Sequence, residues 1–469
     1  MWLGEYNGRP LWPVVVTMMF TSFMCALDAV MVSVSMPEIA RQFSSDIGTA
    51  SWVQTGYLLG CVGFLLYFAK LAGSGKLKTV LFGGVSLFIV TSVACAMSPS
   101  IEALCVLRFI QGISGAMIGA VGPVMVVRLM PEDMKGRGMA YVTISSGIAT
   151  IAGAPLGGAV SSTLGWHWLF IINVPLGIVM LILSHYSTFN MSAFEGSEPP
   201  RFRTAIVFSI MVSSALLLIQ CATRDVEPYV MVIITIVLLI SIALMYYIYK
   251  KGELHQIVNP KVLYNRDFKL LLAALIVTVM AVGATNYLIN FYIQIAWGYD
   301  NVMASLIITG ISIIAIPCSM LSGKWCDKKG GRTPTIVSLL IRILFMAMLI
   351  AISPSLGLPM LLLVIALMGC SYGLSGTAQN TRIIYHSSDD TKVDATSLAS
   401  IANYISVAAG LVLYVTIIDL TGLNIMDITV GEMLPTDMES IMRYASIISI
   451  VLTTIGLILS MIVKDRKAE

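Results

Sequence analysis

Charge is what this sequence has little of. Asp, Glu, Lys and Arg make up 11% of its 469 residues, against about 25% in a soluble domain. Hydrophobic residues make up 57%. That balance excludes a soluble enzyme and a soluble protein with one anchor, and it fits a polytopic membrane protein. A net charge of +3 is too small to argue for a nucleic-acid partner. Histidine is scarce too. The four copies sit in loops or at the ends of apolar stretches, so no histidine proton relay is expected. The eight cysteines show no ligand spacing. Cys25, Cys61, Cys95, Cys105, Cys221, Cys318 and Cys370 lie in apolar stretches and Cys326 in a basic loop, so neither a disulfide framework nor a metal site is expected. The first apolar stretch is too long for a cleavable signal peptide and lacks a small-residue cleavage site. No nucleophile–base pair lies within the apolar stretches, which argues against an intramembrane enzyme.

What is there in abundance is membrane-length apolar sequence. A crossing needs about 20 such residues. Fourteen stretches qualify, at 12–36, 49–69, 80–97, 101–127, 139–163, 168–186, 205–223, 228–248, 269–294, 302–321, 334–353, 358–377, 395–418 and 442–463. An even count puts both termini on one side. All but five of the 28 Lys and Arg fall in the termini and the even-numbered loops. The exceptions are Arg41, Arg224 and Arg443 in the opposite loops and Arg108 and Arg342 within spans. Excess positive charge marks the cytoplasmic side, so both termini are expected there, in a multi-pass protein of the cell membrane. The opposite side carries acid, with Asp419, Asp427, Glu432, Asp437 and Glu439 in the last outer loop.

Two long cytoplasmic connections, 187–204 and 249–268, flank a pair of spans with almost no polar content. The expected organisation is an N-terminal six-helix bundle at 1–186, linkers and an inserted helix pair at 187–268, and a C-terminal six-helix bundle at 269–469. An internal echo supports it. The loop after the second span (70–78) and the loop after the tenth (323–332) are both short, Gly-rich and basic. Repeated halves with a site near the midplane are the usual plan of a secondary transporter.

One carboxylate stands apart. Asp28 lies inside the first span, where an ionised Asp costs on the order of 3 kcal/mol. Every other acid falls in a loop or at a span end. A lone intramembrane acid marks a functional site, the bland alternative being a neutral Asp among hydroxyls. Arg108, several residues inside the fourth span, cannot shed its proton and must find an acceptor. Asp28 is the one intramembrane carboxylate on offer. The alternative is an Arg snorkelling from the outer end of that span. Arg342, inside the eleventh span, is read as snorkelling.

Several segments resemble the major facilitator superfamily, in particular its fourteen-span drug:proton antiporter branch. They are Leu27-Asp28 through Met36-Pro37-Glu38-Ile39-Ala40, the run Trp52-Val53-Gln54-Thr55-Gly56-Tyr57-Leu58-Leu59, the run Leu107-Arg108-Phe109-Ile110-Gln111-Gly112, and Gly165-Trp166-His167-Trp168 continuing to Asn173-Val174-Pro175-Leu176-Gly177. Tyr292-Ile293-Gln294 with Gly298-Tyr299 is similar to the family's ninth-span exit. The resemblance implies export of lipophilic cationic compounds by alternating access, driven by the proton gradient, with no cofactor. Gly153, Pro155, Gly157 and Gly158 resemble the antiporter motif of span five, with the proline one residue late. They suit a hinge or simply a close helix contact. The loop after span two lacks the family's Asp near Gly73, whereas Asp327 and Arg332 keep a gating pair after span ten.

The expected fold is therefore all-α, two six-helix bundles plus an inserted pair. Asp28 and Arg108 are the expected proton-coupling residues, with Asp28 binding a proton or a cationic substrate but not both. Asn286, Asn290 and Gln294 recur every four residues on one face of span nine. Such a stripe faces a cavity or another helix; with Gln111, Asn380 and Asn403 these residues are the candidate cavity lining. The expected partners are a small-molecule substrate, protons and the lipid bilayer, around a monomer. Two alternatives stay open: a transporter of an anionic metabolite, lipid or siderophore using Arg108 as anion site, and a non-transporting membrane scaffold or sensor.

Overall fold

A computed structural model of the chain describes residues 5–6, 9–45, 47–188, 200–221, 227–253, 258–299, 301–352, 357–388, 391–419 and 434–464. Apart from a two-residue hairpin, β1 (Glu5–Tyr6) with β2 (Arg9–Pro10), the elements are helical. In order they are α1 (Trp12–Val34), α2 (Met36–Gln42), α3 (Ile47–Leu71), α4 (Leu77–Ala96), α5 (Ile101–Leu129), α6 (Lys135–Leu164), α7 (His167–Ile171), α8 (Asn173–Thr188), α9 (Phe202–Cys221) and α10 (Pro228–Lys250). The second half holds α11 (Pro260–Tyr264), α12 (Arg266–Ile295), α13 (Asn301–Lys329), α14 (Arg332–Ala351), α15 (Leu358–Tyr385), α16 (Lys392–Asp419) and α17 (Pro435–Ile462). Thirteen of the fourteen expected stretches fall on a long helix, and the sixth is divided between the short α7 and α8. Eleven stretches among the described residues are long and apolar enough to cross a membrane, one of them, Trp52–Ala96, running through both α3 and α4.

The helices start and stop where local chemistry demands. Ser100 caps α5, its Oγ accepting from the amide of Ala103 at 3.3 Å. Asn265 caps α12 by accepting from the amides of Asp267 and Phe268. The sharp turn from α3 into α4 uses Gly75 at φ +94°, a conformation that only glycine adopts without strain.

The chain forms two compact units. Unit 1 contains residues 1–218, 226–263 and 388–401; unit 2 contains 219–225, 264–387 and 402–469. The inserted α9 docks within unit 1, where Ser209 Oγ donates to the Gly63 carbonyl at 2.6 Å and Ser213 Oγ to that of Leu59 at 3.2 Å. Helix α10 stays mostly exposed along Val232, Ile233, Ile236, Leu239 and Ile240, as a helix apolar all round does when it faces lipid. Helix α16 belongs to both units, its first ten residues to unit 1 and the rest to unit 2.

The structure corrects one sequence expectation here. Helix α13 runs on through the basic stretch to Lys329, so Cys326 is not a loop residue; it is helical and 2% exposed. Lys is a good helix former, and a basic run marks where the helix leaves the bilayer, not where it ends.

Candidate functional site

Unit 1 is built around the α3–α5 crossing. A Cβ on Gly112 would stand 2.1 Å from the Tyr57 carbonyl oxygen, and one on Gly60 2.2 Å from that of Phe109. Nothing larger than glycine permits this approach of two backbones. The crossing lays Arg108 against α3, with its guanidinium carbon 4.5 Å from the centre of the Tyr57 ring and its Nε 3.5 Å from the Val53 carbonyl. Arg108 does not snorkel. It is 0% exposed, and its Nη1 donates to Asp28 Oδ2 at 2.8 Å.

The pair is dry and embedded in a network. Asp28 is likewise 0% exposed, between the buried Leu27 and Met31. Its other oxygen, Oδ1, accepts from Asn173 Nδ2 at 2.8 Å. Arg108 Nη1 also donates to Gln111 Oε1 at 2.7 Å, and Gln111 Nε2 passes the chain on to Ser92 Oγ at 2.8 Å. The Phe170 ring lies 5.6 Å from the guanidinium carbon. Trp166, Leu169 and Phe170, from the segment that resembles a family signature, pack with Leu27 and Met31 and close off this end of the bundle. Two polar atoms here are buried without a hydrogen-bond partner among the described residues: Arg108 Nη2, a donor, and Asn173 Oδ1, an acceptor. The residues beside Asp28 therefore retain capacity for both roles.

The remaining candidates fall in distinct places. Gln111 is part of the ion-pair network. Gly157 sits against α1, where an added Cβ would come within 2.9 Å of Met31 Cα and 3.0 Å of its oxygen; the Gly157 carbonyl accepts from Ser35 Oγ. Gly153 abuts Val30 and Leu27. These two glycines thus press α6 onto α1 within a turn of Asp28. Gly158 is half-buried and Pro155 exposed within the unbroken α6. Asn380 and Asn403 line a cavity of about 220 Å³ in unit 2, together with Arg342, Tyr372 and Gln379. Gln294 is half-buried. The side chains of Asn286 and Asn290 lie outside the described residues, although their backbone is in α12. Asp327 accepts from the Tyr385 hydroxyl at 3.3 Å, and Arg332 donates to the Met461 carbonyl at 2.7 Å.

Three features were missed from sequence. Asn173 is a neutral amide inside a recognised run, and only the cost of leaving it unsatisfied in an apolar span pointed to it. Arg342 is not a snorkelling residue: it is 3% exposed, donating to the Thr278 carbonyl at 2.9 Å and to the Ser371 and Ser375 hydroxyls at 3.2 and 2.8 Å. The acid absent near Gly73 has a substitute from far along the chain. Asp394, at the start of α16, accepts from Lys70 Nζ at 3.3 Å and from the Asn259 amide at 2.7 Å, while Val393 fills the space over Gly73. Two residues earlier, Lys392 reaches Glu132 at 3.0 Å, and Lys135 bonds the same carboxylate. The charge order is the reverse of the family's, with the cation in the last turn of α3 and the acid in the first turn of α16.

A bundle of membrane-length helices around a buried ion pair is the architecture of a membrane transporter. The chain belongs to the Major Facilitator Superfamily, whose family profile matches residues 18–411. It is similar to the riboflavin transporter RibZ of Clostridioides difficile, 24% identical over 80% of this chain and 80% of that one. It is also similar to the multidrug resistance protein Stp of Mycobacterium tuberculosis, 27% identical over 70% of this chain and 61% of that one. Among solved structures, the human organic anion transporter MFSD10 (TETRAN) shares the fold, with a TM-score of 0.66 and 13% identity over 96% of this chain and 100% of that one.

Proposed function

We propose that the protein exports lipophilic cationic compounds across the cytoplasmic membrane in exchange for protons, with Asp28 as the coupling group and both termini in the cytoplasm. The observation that carries this reading is the fully buried Asp28–Arg108 pair at 2.8 Å with Asn173 on the second carboxylate oxygen. Taking a proton neutralises Asp28 and ends its attraction for Arg108. The guanidinium then keeps Gln111 Oε1, the Val53 carbonyl and the Tyr57 face. Breaking one side of a buried ion pair otherwise costs about 3–5 kcal/mol. Protonation therefore favours a rearrangement of α1, α5 and α8, the three helices that supply Asp28, Arg108 and Asn173. A cationic substrate reaches the deprotonated Asp28 by displacing Arg108 and Asn173, which hold its two oxygens. Gly153 and Gly157 give α1 a smooth track on α6 along which to shift. The relative named a multidrug resistance protein supports the substrate class.

The competing reading, Arg108 as an anion site through its Nη2, unpartnered among the described residues, has less support because the Asp28 carboxylate 2.8 Å from the guanidinium already neutralises its charge. The test is transport by the purified monomer in proteoliposomes under an imposed pH gradient, with tetraphenylphosphonium as probe. Uphill movement that collapses when the gradient is dissipated is the expected result. Movement indifferent to the gradient would remove the proton from the mechanism.

A further inference from the structure

Unit 2 holds a second buried cation that the proton-coupling account does not use. Arg342 projects from α14 into the cavity of about 220 Å³. It donates there to neutral acceptors, among them the Thr278 carbonyl on α12 and the hydroxyls of Ser371 and Ser375 on α15. Around the same space stand three carboxamides, Gln379, Asn380 and Asn403, and the ring of Tyr372, 5.6 Å from the guanidinium carbon. Among the described residues the lining carries no Asp or Glu, and its formal charge there is the positive one of Arg342. A concave space with a few convergent polar groups on an apolar wall is what a small-molecule site looks like. A fixed guanidinium in low dielectric selects for negative charge, because its planar fork matches a carboxylate.

We propose that this cavity is a binding site for the carboxylate of an amphipathic aromatic compound. Arg342 holds the carboxylate, the carboxamides donate to it, and Tyr372 lies against the ring. The inference rests on the transporter reading only for why such a ligand is carried. It extends the substrate range from simple cations to compounds bearing an acid group. The bland alternative is that Arg342 is only a staple joining α14 to α12 and α15.

Binding in detergent separates the two without any transport measurement. The probes are 2-naphthoate and its neutral isostere 2-naphthamide, titrated by calorimetry into the purified full chain. The wild type is expected to bind naphthoate at least about 10-fold more tightly than naphthamide. Arg342→Gln is expected to erase that preference while leaving naphthamide binding unchanged, and Arg342→Lys to retain part of it. Asp28→Asn is expected to keep naphthoate binding intact, so failure of the coupling site and failure of this site are told apart. Where Arg342→Gln does not fold, Asn403→Phe fills the cavity from α16 and must abolish naphthoate binding. Equal affinity of the wild type for the two probes would overturn the proposal. So would a folded Arg342→Gln that keeps the preference, or an Asn403→Phe that still binds naphthoate.

Discussion

At the scale of single residues, the account turns on what a charge must do in hydrocarbon. Asp28 and Arg108 were legible in the sequence because neither is stable there alone, and each was the other's most economical partner. Asn173 was not legible, since a neutral amide imposes a weaker demand and its sequence neighbours gave no hint that it would reach α1. Arg342 was misread for a related reason: sequence does not say which face of a span meets protein and which meets lipid, and the two cases look identical in a single apolar run. The residue-level prediction follows from the asymmetry between removing one partner and removing both. Arg108→Met leaves Asp28 buried without its cation and is expected to cost about 3–5 kcal/mol. Asp28→Asn with Arg108→Met removes both charges and is expected to recover much of that loss. Thermal unfolding in detergent of the two single variants and the double variant measures the difference. A double variant no more stable than Arg108→Met would mean that packing, not charge, holds Arg108 in place.

Between elements, the contacts that matter are made by residues with no chemistry of their own. The approach of α6 to α1 depends on Gly157, where the first added carbon already meets Met31 backbone at 2.9 Å. Gly157→Leu is expected to destabilise by about 1–3 kcal/mol and to depress transport more than a distant substitution of equal stability cost, since α1 carries Asp28. A transport assay normalised to folded protein checks it. The glycine spacing was visible in the sequence, but which helix it faced was not. The Lys70–Asp394 contact was invisible altogether. Its partners lie 324 residues apart, and the reversed order of charges defeats a search for the usual acid on the loop. Its role is tested by exchange. Lys70→Asp and Asp394→Lys are each expected to lower transport several-fold, and the double swap to restore it, because the pair survives with its polarity inverted. Two impaired single variants with an equally impaired double variant would show that the surroundings, through Glu132, Lys392 and Lys135, need each sign where it stands.

For the whole molecule, hydropathy was enough to find the helices because backbone polar groups in a bilayer can be satisfied only within a helix or a closed barrel. The expected stretches fall on helices, the sixth of them divided between α7 and α8, and the repeat shows in packing as well as in loops. In unit 1 Gly112 presses α5 onto the Tyr57 backbone of α3, and in unit 2 Gly373 presses α15 onto the Ala315 backbone of α13. What hydropathy did not reveal was the grouping of the pieces. By contact, most of the inserted pair groups with the N-terminal half, where serines of α9 bond carbonyls of α3. Hydroxyl-to-carbonyl bonds of that kind carry no periodic signature. The function proposed for this assembly depends in the end on a single exchangeable proton, because Arg108 stays charged throughout and, among the described residues, Asp28 is the carboxylate in its buried network. The most direct measurement is therefore the proton itself: the pH change on adding tetraphenylphosphonium to detergent-purified protein in weak buffer. Wild type is expected to release about one proton per bound cation and Asp28→Asn none. Equal release from both proteins would contradict the account and place the coupling group elsewhere.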